Sequence, residues 1–326
     1  MKQRSQCPAC GFNAAPLIVD LPFDSAEIAG YLRAFYASYP RCDLAPLAGT
    51  RCQLADCPAC GCRYQQGVPD DAFLANFYRS LGTSVAPVAF EPYRIEPIVR
   101  ELMMVVRFLQ PRVPCPRVLD FGTGEGRWAT IAAAAGLTTG ATDLTSHAFA
   151  TLQRHGIACF DPAALAPADF DFINTEQVCE HLAAPAAILD QLSRVLRPGG
   201  VLKIGVPHDP NLRRKLRQPD WLAPKNSPDS LNGVAPIEHL NHFEPTSLIA
   251  LAVRAGLQPL QIRGWTLVSP RSPPDSFGPR QRLGLWLRTK IGADDRTYHT
   301  LTQTIFFEKP LCAEAIGTAA THCVQP

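Results

Sequence analysis

Residues 118–126 read Val-Leu-Asp-Phe-Gly-Thr-Gly-Glu-Gly, and this stretch decides the fold. Its first four residues form a short run typical of a buried strand, and glycines at alternate positions follow. Glycine lets a backbone turn sharply and approach a ligand closely, so the stretch predicts a ligand pocket at a strand-to-helix turn. The dinucleotide fingerprint needs a further glycine where this sequence has Arg127, and an oxidoreductase is therefore the least favoured function.

Strand-like and helix-like segments alternate along the chain after this turn. The predicted strands are 118–121, 139–143, 158–161, 170–175 and 201–206. The predicted helices are 127–135, 148–154, 186–196 and 245–255, with an earlier amphipathic helix at 95–109. This alternation predicts an α/β fold, a Rossmann-like, doubly wound and mostly parallel sheet with helices on both faces.

Two aspartates stand at the ends of neighbouring predicted strands, where a parallel sheet binds its ligands. Asp143 can accept hydrogen bonds from two ribose hydroxyls, which predicts a nucleoside ligand with a free ribose. Asp161 could accept from an adenine amino group, although an isolated aspartate is more often a loop cap.

The N-terminal region repeats a cysteine motif letter for letter. Cys-Pro-Ala-Cys-Gly occupies residues 7–11 and again residues 57–61. Two thiolates at this spacing can chelate one ion from a tight turn, and two such turns complete a tetrahedral zinc site. The predicted zinc ligands are Cys7, Cys10, Cys57 and Cys60. Two redox-active or merely buried cysteine pairs are the alternative, although the region lacks the βαβ context of a thioredoxin-like motif.

The gap between the two cysteine motifs is longer than in compact zinc ribbons. Its 46 residues must carry structure of their own, and apolar residues at helical spacing predict a helix within 24–39. Cys42, Cys52 and Cys62 are candidates to replace one of the four ligands. The zinc site would be structural or would help to shape a substrate entrance.

Four ordered motifs resemble the class I S-adenosylmethionine-dependent methyltransferases. They are the glycine turn at 118–126, Asp143, the block Phe-Asp-Phe-Ile-Asn-Thr-Glu-Gln-Val-Cys-Glu-His-Leu at 170–182, and Val-Leu-Arg-Pro-Gly-Gly at 195–200. The cysteine-rich region resembles the zinc-ribbon-like leader of a subset that includes sugar and natural-product methyltransferases. The resemblance implies S-adenosylmethionine as cofactor and a seven-stranded sheet ending in an antiparallel pair, for which 259–265 and 302–308 are the candidates.

The same resemblance implies a role for each residue of the pocket. The glycine turn would lie against the methionine part of the cofactor, and Asp120 would reach its amino group through water. Asp143 would hold the ribose, Asp161 would lie near adenine, and Glu176 would face the sulfonium. The complete predicted cofactor-binding set is Asp120, Phe121, Gly122, Gly124, Gly126, Asp143, Leu144, Asp161 and Glu176.

Histidines supply the candidate bases, because a base helps methyl transfer only where the accepting group must lose a proton. The candidate catalytic residues are His181, His239 and His242, with His208 as a further alternative. His181 could instead cap the helix that follows it. With Glu176 and Glu180 it also resembles the trio that binds a divalent metal in ubiquinone-pathway O-methyltransferases.

An insertion at 208–236 separates the fifth predicted strand from the helix 245–255 and is expected over the pocket mouth. It carries Arg213, Arg214, Lys215, Arg217 and Trp221. One interpretation is a solvated loop with one buried tryptophan. The other is a lid whose cations meet an anionic substrate, such as a phosphate- or nucleotide-linked sugar.

The chain has 326 residues, of which 46% are hydrophobic and 18% charged, and it is long enough for about two domains. The predicted organisation is a zinc-binding leader at 1–68, a helical linker at 69–116, a methyltransferase domain at 117–310 and a flexible tail at 311–326.

Charge and hydropathy restrict the partners. A net charge of +2 and the balanced charges of residues 1–62 argue against nucleic acid. No apolar run approaches the roughly 20 residues of a membrane span, and no signal peptide is recognisable, so a cytoplasmic protein with reduced thiols is expected. The expected function is methyl transfer to a small-molecule or glycan acceptor. The alternatives are RNA or protein methylation, or a non-catalytic zinc-ribbon binding protein.

Overall fold

The computed structural model describes residues 1–37, 43–82, 92–224, 227–261, 268–270 and 301–311. Its strands are β1 (Lys2–Gln3), β2 (Leu17–Pro22), β3 (Arg51–Asp56), β4 (Arg63–Gln65), β5 (Gly67–Val68), β6 (Arg117–Phe121), β7 (Thr138–Thr142), β8 (Ala158–Phe160), β9 (Phe170–Glu176), β10 (Leu196–His208), β11 (Asn241–His242), β12 (Gln258–Leu260), β13 (Val268–Pro270) and β14 (Leu301–Glu308). Its helices are α1 (Ala26–Phe35), α2 (Asp71–Gly82), α3 (Pro92–Leu109), α4 (Arg127–Ala134), α5 (Phe149–Arg154), α6 (Pro185–Val195), α7 (Leu212–Lys215) and α8 (Pro245–Arg254). Short 3₁₀ turns lie at Ala45–Leu47, Pro162–Ala164 and Cys179–His181.

The central sheet has the strand order β12-β14-β10-β9-β6-β7-β8, and β13 pairs with β14 as an eighth strand. The five strands from β8 to β10 along this order are parallel, whereas β14 runs antiparallel to its neighbours. The Rossmann-like, mostly parallel seven-stranded sheet is thereby confirmed, and β13 is an addition that the sequence patterns do not predict. The predicted antiparallel pair is present as β12 and β14, while residues 262–265 lie outside the described residues.

The strand order reverses between β6 and β9. β7 lies on one side of β6, and β9 lies on the other side although it comes later in the chain. Loops that leave the carboxyl ends of two such strands diverge and open a crevice, which is where doubly wound sheets bind ligands. The glycine turn follows β6 and the 3₁₀ turn Cys179–His181 follows β9, so two of the predicted functional motifs meet at this edge.

Helices cover both faces of the sheet. Val118 and its neighbours pack under α3 and α4 with Leu102 and Trp128, whereas Leu119 faces the layer of α6 and α8. Successive residues of a strand point to opposite faces, so the apolar side chains of β6 pack into the cores on both sides of the sheet. α2 and α3 occupy the region predicted as a helical linker.

The cysteine-rich leader shares its sheet with a distant part of the chain. β2, β3 and β4 form an antiparallel sheet, and β11 completes it by pairing with β4. α1 lies within the span 24–39, where a helix is predicted, and the Ser25 hydroxyl caps it by accepting from the Ile28 amide. The predicted domain boundary at residue 68 therefore lies between β4 and β11 in the chain, although these two strands pair in one sheet.

The insertion packs on the leader and forms a second core with it. α1 contributes Ile28 and Leu32, and the insertion contributes Leu216 and Trp221. The rings of Trp221 and Tyr31 meet edge-on at 5.7 Å. A leader of this size buries little apolar surface by itself, and the insertion supplies the surface that it lacks. Trp221 is buried, as one interpretation expects, whereas residues 217–220 and Leu222 beside it are exposed.

In the part of the chain that the structure describes, no helix combines the length and the apolar character needed to span a bilayer.

Candidate active site and zinc centre

A cleft of about 430 Å³ opens at the carboxyl edge of the sheet, between the loops that follow β6, β7 and β9. This volume lies within the range of small-molecule and cofactor pockets. Of the predicted cofactor-binding set, its lining includes Phe121, Gly122, Gly124, Asp143 and Leu144. The sequence thus predicts both the position of the cleft and five residues of its surface.

The glycine turn requires glycine for two different reasons. Gly122 has a φ of +77°, and a Cβ there would lie 2.5 Å from Val178 Cγ2. Gly124 has a φ of +54°, and a Cβ there would meet no atom within 4 Å, so the turn presents bare backbone to the cleft. Gly126 is the N-cap residue of α4, and a Cβ there would lie 2.6 Å from Leu152 Cδ2.

Asp143 links the two loops on one side of the cleft. Its Oδ2 accepts a hydrogen bond from the Gly124 amide at 2.7 Å, and its Oδ1 accepts from the Thr145 amide at 2.9 Å. Oδ2 keeps a second lone pair that can accept from a ligand. Leu144, the next residue, is 83% exposed. A carboxylate beside an uncovered leucine suits a ligand with a polyhydroxy sugar and a flat apolar ring.

Asp120 lies beneath the glycine turn and is buried. Its Oδ1 accepts from Asn174 Nδ2 and its Oδ2 from Thr123 Oγ1, both at 2.7 Å. Burial raises the pKa of Asp120 to about 6, although the two hydrogen bonds act in the opposite direction. The carboxylate therefore braces the turn from below, and a water-mediated contact from it to a cofactor remains a prediction.

Asp161 and Glu176 are engaged by the protein itself. Asp161 is exposed and caps the 3₁₀ turn Pro162–Ala164 by accepting from the Ala163 amide at 2.8 Å, as in the loop-cap alternative. Glu176 Oε2 lies 2.9 Å from Lys203 Nζ. Among the residues that the structure describes, the cleft lining leaves out four of the predicted cofactor-binding set, namely Asp120, Gly126, Asp161 and Glu176.

His181 lies in the opposite wall of the cleft, beside Tyr78 of α2. Its Nδ1 lies 3.0 Å from the Glu238 carbonyl oxygen, which can only accept, so Nδ1 carries the ring proton. Nε2 of the neutral ring then holds a lone pair, and the Oε1 of buried Glu180 lies 3.6 Å from it. A histidine held in one tautomer, with a carboxylate to stabilise its protonated form, is suited to act as a general base.

The other two predicted catalytic histidines continue a row of rings. The His239 ring centroid lies 5.1 Å from that of His181 and 6.3 Å from that of His242. His239 Nδ1 donates to the Gly233 carbonyl oxygen at 2.7 Å. His242 is 8% exposed and lines a separate small cavity together with His208. Burial lowers the pKa of His242 to about 3, so this ring is neutral at physiological pH.

A carboxylate and two imidazoles converge beside the cleft. Glu180, His181 and His239 each bring one ligand atom within 4.8 Å of the others, a donor set that could hold a divalent cation. The trio suggested by the family resemblance includes Glu176 in place of His239. Since Lys203 holds the Glu176 carboxylate, that trio does not assemble in this structure.

The four predicted zinc ligands converge in the leader. Cys7, Cys10, Cys57 and Cys60 place their sulfur atoms within 4.8 Å of one another, and two of the Sγ–Sγ distances are 3.6 Å. A tetrahedral ion with Zn–S bonds of about 2.3 Å needs sulfurs about 3.8 Å apart. The donor set and the spacing therefore fit zinc.

Each cysteine motif forms the same turn. The Gly11 amide donates to the Cys7 carbonyl oxygen and the Gly61 amide to that of Cys57, both at 2.9 Å. The two glycines have φ values of +80° and +77°, in the left-handed region that glycine tolerates. Among the described residues, two candidate substitutes are not part of the group of four converging sulfurs: Cys52 donates to a glutamine oxygen and Cys62 to a backbone oxygen. The third candidate, Cys42, lies outside the described residues.

Three cations of the insertion are paired with carboxylates. The pairs are Arg213 with Asp56 at 2.9 Å, Arg214 with Asp229 at 3.3 Å and Lys215 with Asp209 at 2.7 Å. An anionic acceptor stays a prediction, to which these contacts lend no support.

In the part of the chain that the structure describes, ten residues of the cleft lining are absent from the predicted site residues, and Gln177 and Tyr78 are two of them. Gln177 has a φ of +57°, unusual for a residue with a Cβ, and its place inside the motif block 170–182 could have flagged it. Tyr78 lies 103 positions before His181, and no local signal connects the two.

A family model described as Methyltransferase domain matches residues 92–262, slightly more than half of the chain. Among curated proteins, a ubiquinone biosynthesis O-methyltransferase from Xylella fastidiosa is 34% identical over 108 residues, which cover 29% of this chain and 44% of that protein. One from Ralstonia nicotianae is 28% identical over 161 residues, which cover 45% of this chain and 65% of that protein. The chain spans less than half the length of the first curated relatives that it matches.

Two solved structures match part of the chain. Phosphoethanolamine N-methyltransferase 2 from Haemonchus contortus, in complex with S-adenosyl-L-methionine, matches with a TM-score of 0.46 and 16% identity, over 76% of this chain and 62% of that one. The YcgJ protein from Bacillus subtilis matches with a TM-score of 0.43 and 16% identity, over 65% of this chain and 99% of that one.

Proposed function

Because this chain belongs to the methyltransferase domain family, we propose that it transfers a methyl group from S-adenosylmethionine to a hydroxyl of a small molecule. One observation carries the proposal. The bare glycine turn after β6 and the Asp143 carboxylate after β7 lie side by side at the carboxyl edge of the sheet, joined by the 2.7 Å hydrogen bond from the Gly124 amide.

Different residues of the cleft would contact different parts of the cofactor. Asp143 would accept from the ribose hydroxyls, Leu144 would cover the adenine ring, and the backbone of Gly122 and Gly124 would lie against the methionine part. S-adenosylmethionine, when bound, supplies a methyl group that is already activated on a sulfonium. The protein then has to align the accepting atom and keep water out of the pocket.

The opposite wall would receive the acceptor. Val178 and Leu182 make it apolar, and Tyr78 and His181 add polar groups at one place. The relatives named ubiquinone biosynthesis O-methyltransferase support an oxygen acceptor on a small molecule. A sugar hydroxyl is the competing acceptor, favoured by the resemblance of the leader to those of sugar methyltransferases.

His181 would act as the base. Its Nε2 would take the proton of the accepting hydroxyl while the oxygen gains the methyl group, and the Glu180 carboxylate 3.6 Å away would stabilise the resulting imidazolium. Burial and the carboxylates of Glu238 and Glu180 raise the pKa of Tyr78, so its phenol stays protonated and is a hydrogen-bonding group rather than a base.

Calorimetry with S-adenosylhomocysteine tests the cofactor half of the proposal. Transfer of a radioactive methyl group from S-adenosylmethionine then tests the acceptor half, with hydroxylated aromatic compounds, sugars and nucleotide sugars, and total RNA as separate panels. Binding of the product and methylation of the aromatic panel are expected. A protein that binds neither S-adenosylmethionine nor S-adenosylhomocysteine would disprove the proposal, and methylation of RNA alone would disprove the acceptor class.

A further inference from the structure

The loop that carries His181 contains backbone carbonyl groups that its own short turn does not satisfy. Residues Cys179–His181 form an isolated 3₁₀ turn after β9, followed by three residues before α6 begins. So short a turn leaves carbonyl groups without partners inside the turn, and buried carbonyls need donors from elsewhere. The part of the cleft wall that holds His181 and Leu182 therefore depends on groups outside this loop.

Asn241 supplies one set of donors. Its side chain is 1% exposed, and Nδ2 lies 3.0 Å from the Cys179 carbonyl oxygen, 3.4 Å from that of Glu180 and 2.8 Å from that of Leu182. Asn241 belongs to β11, which is held in place by pairing with β4 of the leader. The amide is thus fixed by the leader sheet and directed at the loop.

Arg4 supplies the second set. Its Nη2 donates to the carbonyl oxygens of Leu182 at 3.0 Å and Ala183 at 2.7 Å, while Nη1 donates to Asn241 Oδ1 at 2.9 Å. The same Nη1 lies 3.2 Å from the Gln65 and Leu240 carbonyl oxygens, which anchors the guanidinium on the leader sheet. Burial lowers the pKa of Arg4 to about 10, so the group remains charged at neutral pH.

Together the two side chains donate to four of the five carbonyl oxygens between residues 179 and 183. From this geometry we infer that Arg4 and Asn241 are positioning residues for the His181 wall of the cleft. They make the leader and β11 part of the machinery that orients the base. The inference deepens the proposed function and rests on it for the reaction that His181 serves.

The cofactor side of the cleft has its own supports. Asp143 holds the glycine turn through the Gly124 amide, and Asp120 braces it through Thr123. Loss of the Arg4 and Asn241 contacts should therefore disturb the His181 wall and leave the cofactor side intact. A purely structural role would loosen both sides alike.

The test uses the zinc-loaded full chain with Asn241→Asp, Arg4→Lys and the control Arg51→Lys. Aspartate keeps the shape of Asn241 and its acceptor for Arg4, but it cannot donate to the loop. Lysine keeps the charge of Arg4 and loses the fork that reaches two carbonyls at once. Arg51 is a leader arginine whose partner is exposed Asp20.

Hydrogen exchange measured by mass spectrometry reports the opening of the loop that carries His181. In both test variants, amides of residues 178–184 should exchange at least about tenfold faster than in the native protein, while those of residues 118–126 keep their native rates. Arg51→Lys should match the native protein in both segments. Native exchange at 178–184 in both test variants, or a uniform acceleration over the whole chain, would overturn the inference.

Kinetics separate this inference from the proposed function. With an accepted methyl acceptor, kcat of Asn241→Asp should fall about tenfold or more, because a small misplacement of a catalytic group is costly, while KM for S-adenosylmethionine stays within twofold. Unchanged kcat would overturn the positioning role. A native protein that binds no S-adenosylhomocysteine would remove the proposed function, whereas the exchange result would still decide whether these two residues hold the loop.

Discussion

A Cβ at position 122 would lie 2.5 Å from Val178 Cγ2, so Gly122 and Val178 close the floor of the cleft against each other. Gly122 follows β6 and Val178 follows β9, and their contact therefore spans the point where the strand order reverses. The cleft keeps its depth because residue 122 is a glycine and has no side chain.

Replacing Gly122 by alanine should reduce affinity for S-adenosylhomocysteine about tenfold or more. The variant has a clash with Val178 as well as the strain of a positive φ, which costs about 1 kcal/mol. Gly136→Ala is the matched control, because its φ is +84° and no atom lies within 4 Å of the added Cβ. Calorimetry on both variants checks the prediction, and equal affinities would contradict it.

Asp143→Ala should raise the dissociation constant for S-adenosylhomocysteine by about ten- to a hundredfold, the effect of losing a hydrogen bond to a charged group. The Gly124 and Thr145 amides would also lose their acceptor, which loosens the turn. Asp161→Ala is the control, since its exposed carboxylate caps a surface turn. A change within twofold is expected there. If the two alanine variants bind alike, the assignment of the ribose contact is wrong.

His181→Gln should lower kcat by about a hundredfold or more, as expected for removal of a general base. Affinity for S-adenosylhomocysteine should stay near the native value, because the cofactor contacts lie across the cleft. Tyr78→Phe keeps the ring and removes the hydroxyl 3.3 Å from Nδ1, and we expect a smaller loss in kcat. A fully active glutamine variant would show that the acceptor needs no base from this residue.

Removing zinc should destabilise more than the leader. Three of the zinc ligands, Cys7, Cys57 and Cys60, belong to the same hydrophobic core as residues of α8 and of the central sheet. The free energy of metal binding therefore contributes to the folding of the leader and of the central sheet. Chelation, or Cys57→Ser, should lower the Tm by at least about 5 °C, since a loss of a few kcal/mol shifts a chain of this size by that much. Cys115→Ser removes an exposed thiol and should not change the Tm. A melting curve unaffected by chelation would favour ordinary thiols.

The buried ring of His242 should make stability fall in acid. In the unfolded chain this histidine has its ordinary pKa of 6.5, whereas in the folded protein burial lowers the pKa to about 3. Between these values the unfolded state binds the extra proton, so stability is lost as the pH falls below 6.5. His242→Gln should flatten the slope of the unfolding free energy by up to about 1.4 kcal/mol per pH unit.

Urea unfolding between pH 7 and pH 4 measures that slope. His155→Gln serves as the control, because it removes a histidine whose side chain is exposed rather than buried. An unchanged slope in His242→Gln would show that other groups determine the acid sensitivity.

The parallel sheet was predictable because its signals are local. The apolar run at 118–121 becomes β6, Arg117–Phe121, and the span 170–175 becomes β9, Phe170–Glu176. The hydrophobic periodicities of strands and helices repeat every two to four residues, so a single sequence is enough to recognise them. The zinc ligands were equally readable, since each pair lies within one tight turn.

The distribution of roles inside the cleft was less predictable. The resemblance assigns Asp120 a water-mediated contact with the cofactor, yet its carboxylate accepts hydrogen bonds from Thr123 and Asn174 beneath the turn. The resemblance assigns Glu176 to the sulfonium, and the structure pairs it with buried Lys203. Which of several carboxylates faces a ligand depends on partners distant in sequence, and the sequence pattern around each residue does not contain them.

The pairing of β11 with β4 has a consequence for synthesis on the ribosome. Tyr64 emerges long before Asn241, its ladder partner, which lies 177 positions further along the chain. At about 5–20 residues per second, the nascent leader would wait roughly 10 to 35 s with the open edge of β4 uncovered. During that delay the β2-β3-β4 sheet and a metal ion bound by the four leader cysteines would be the constraints available to the nascent segment.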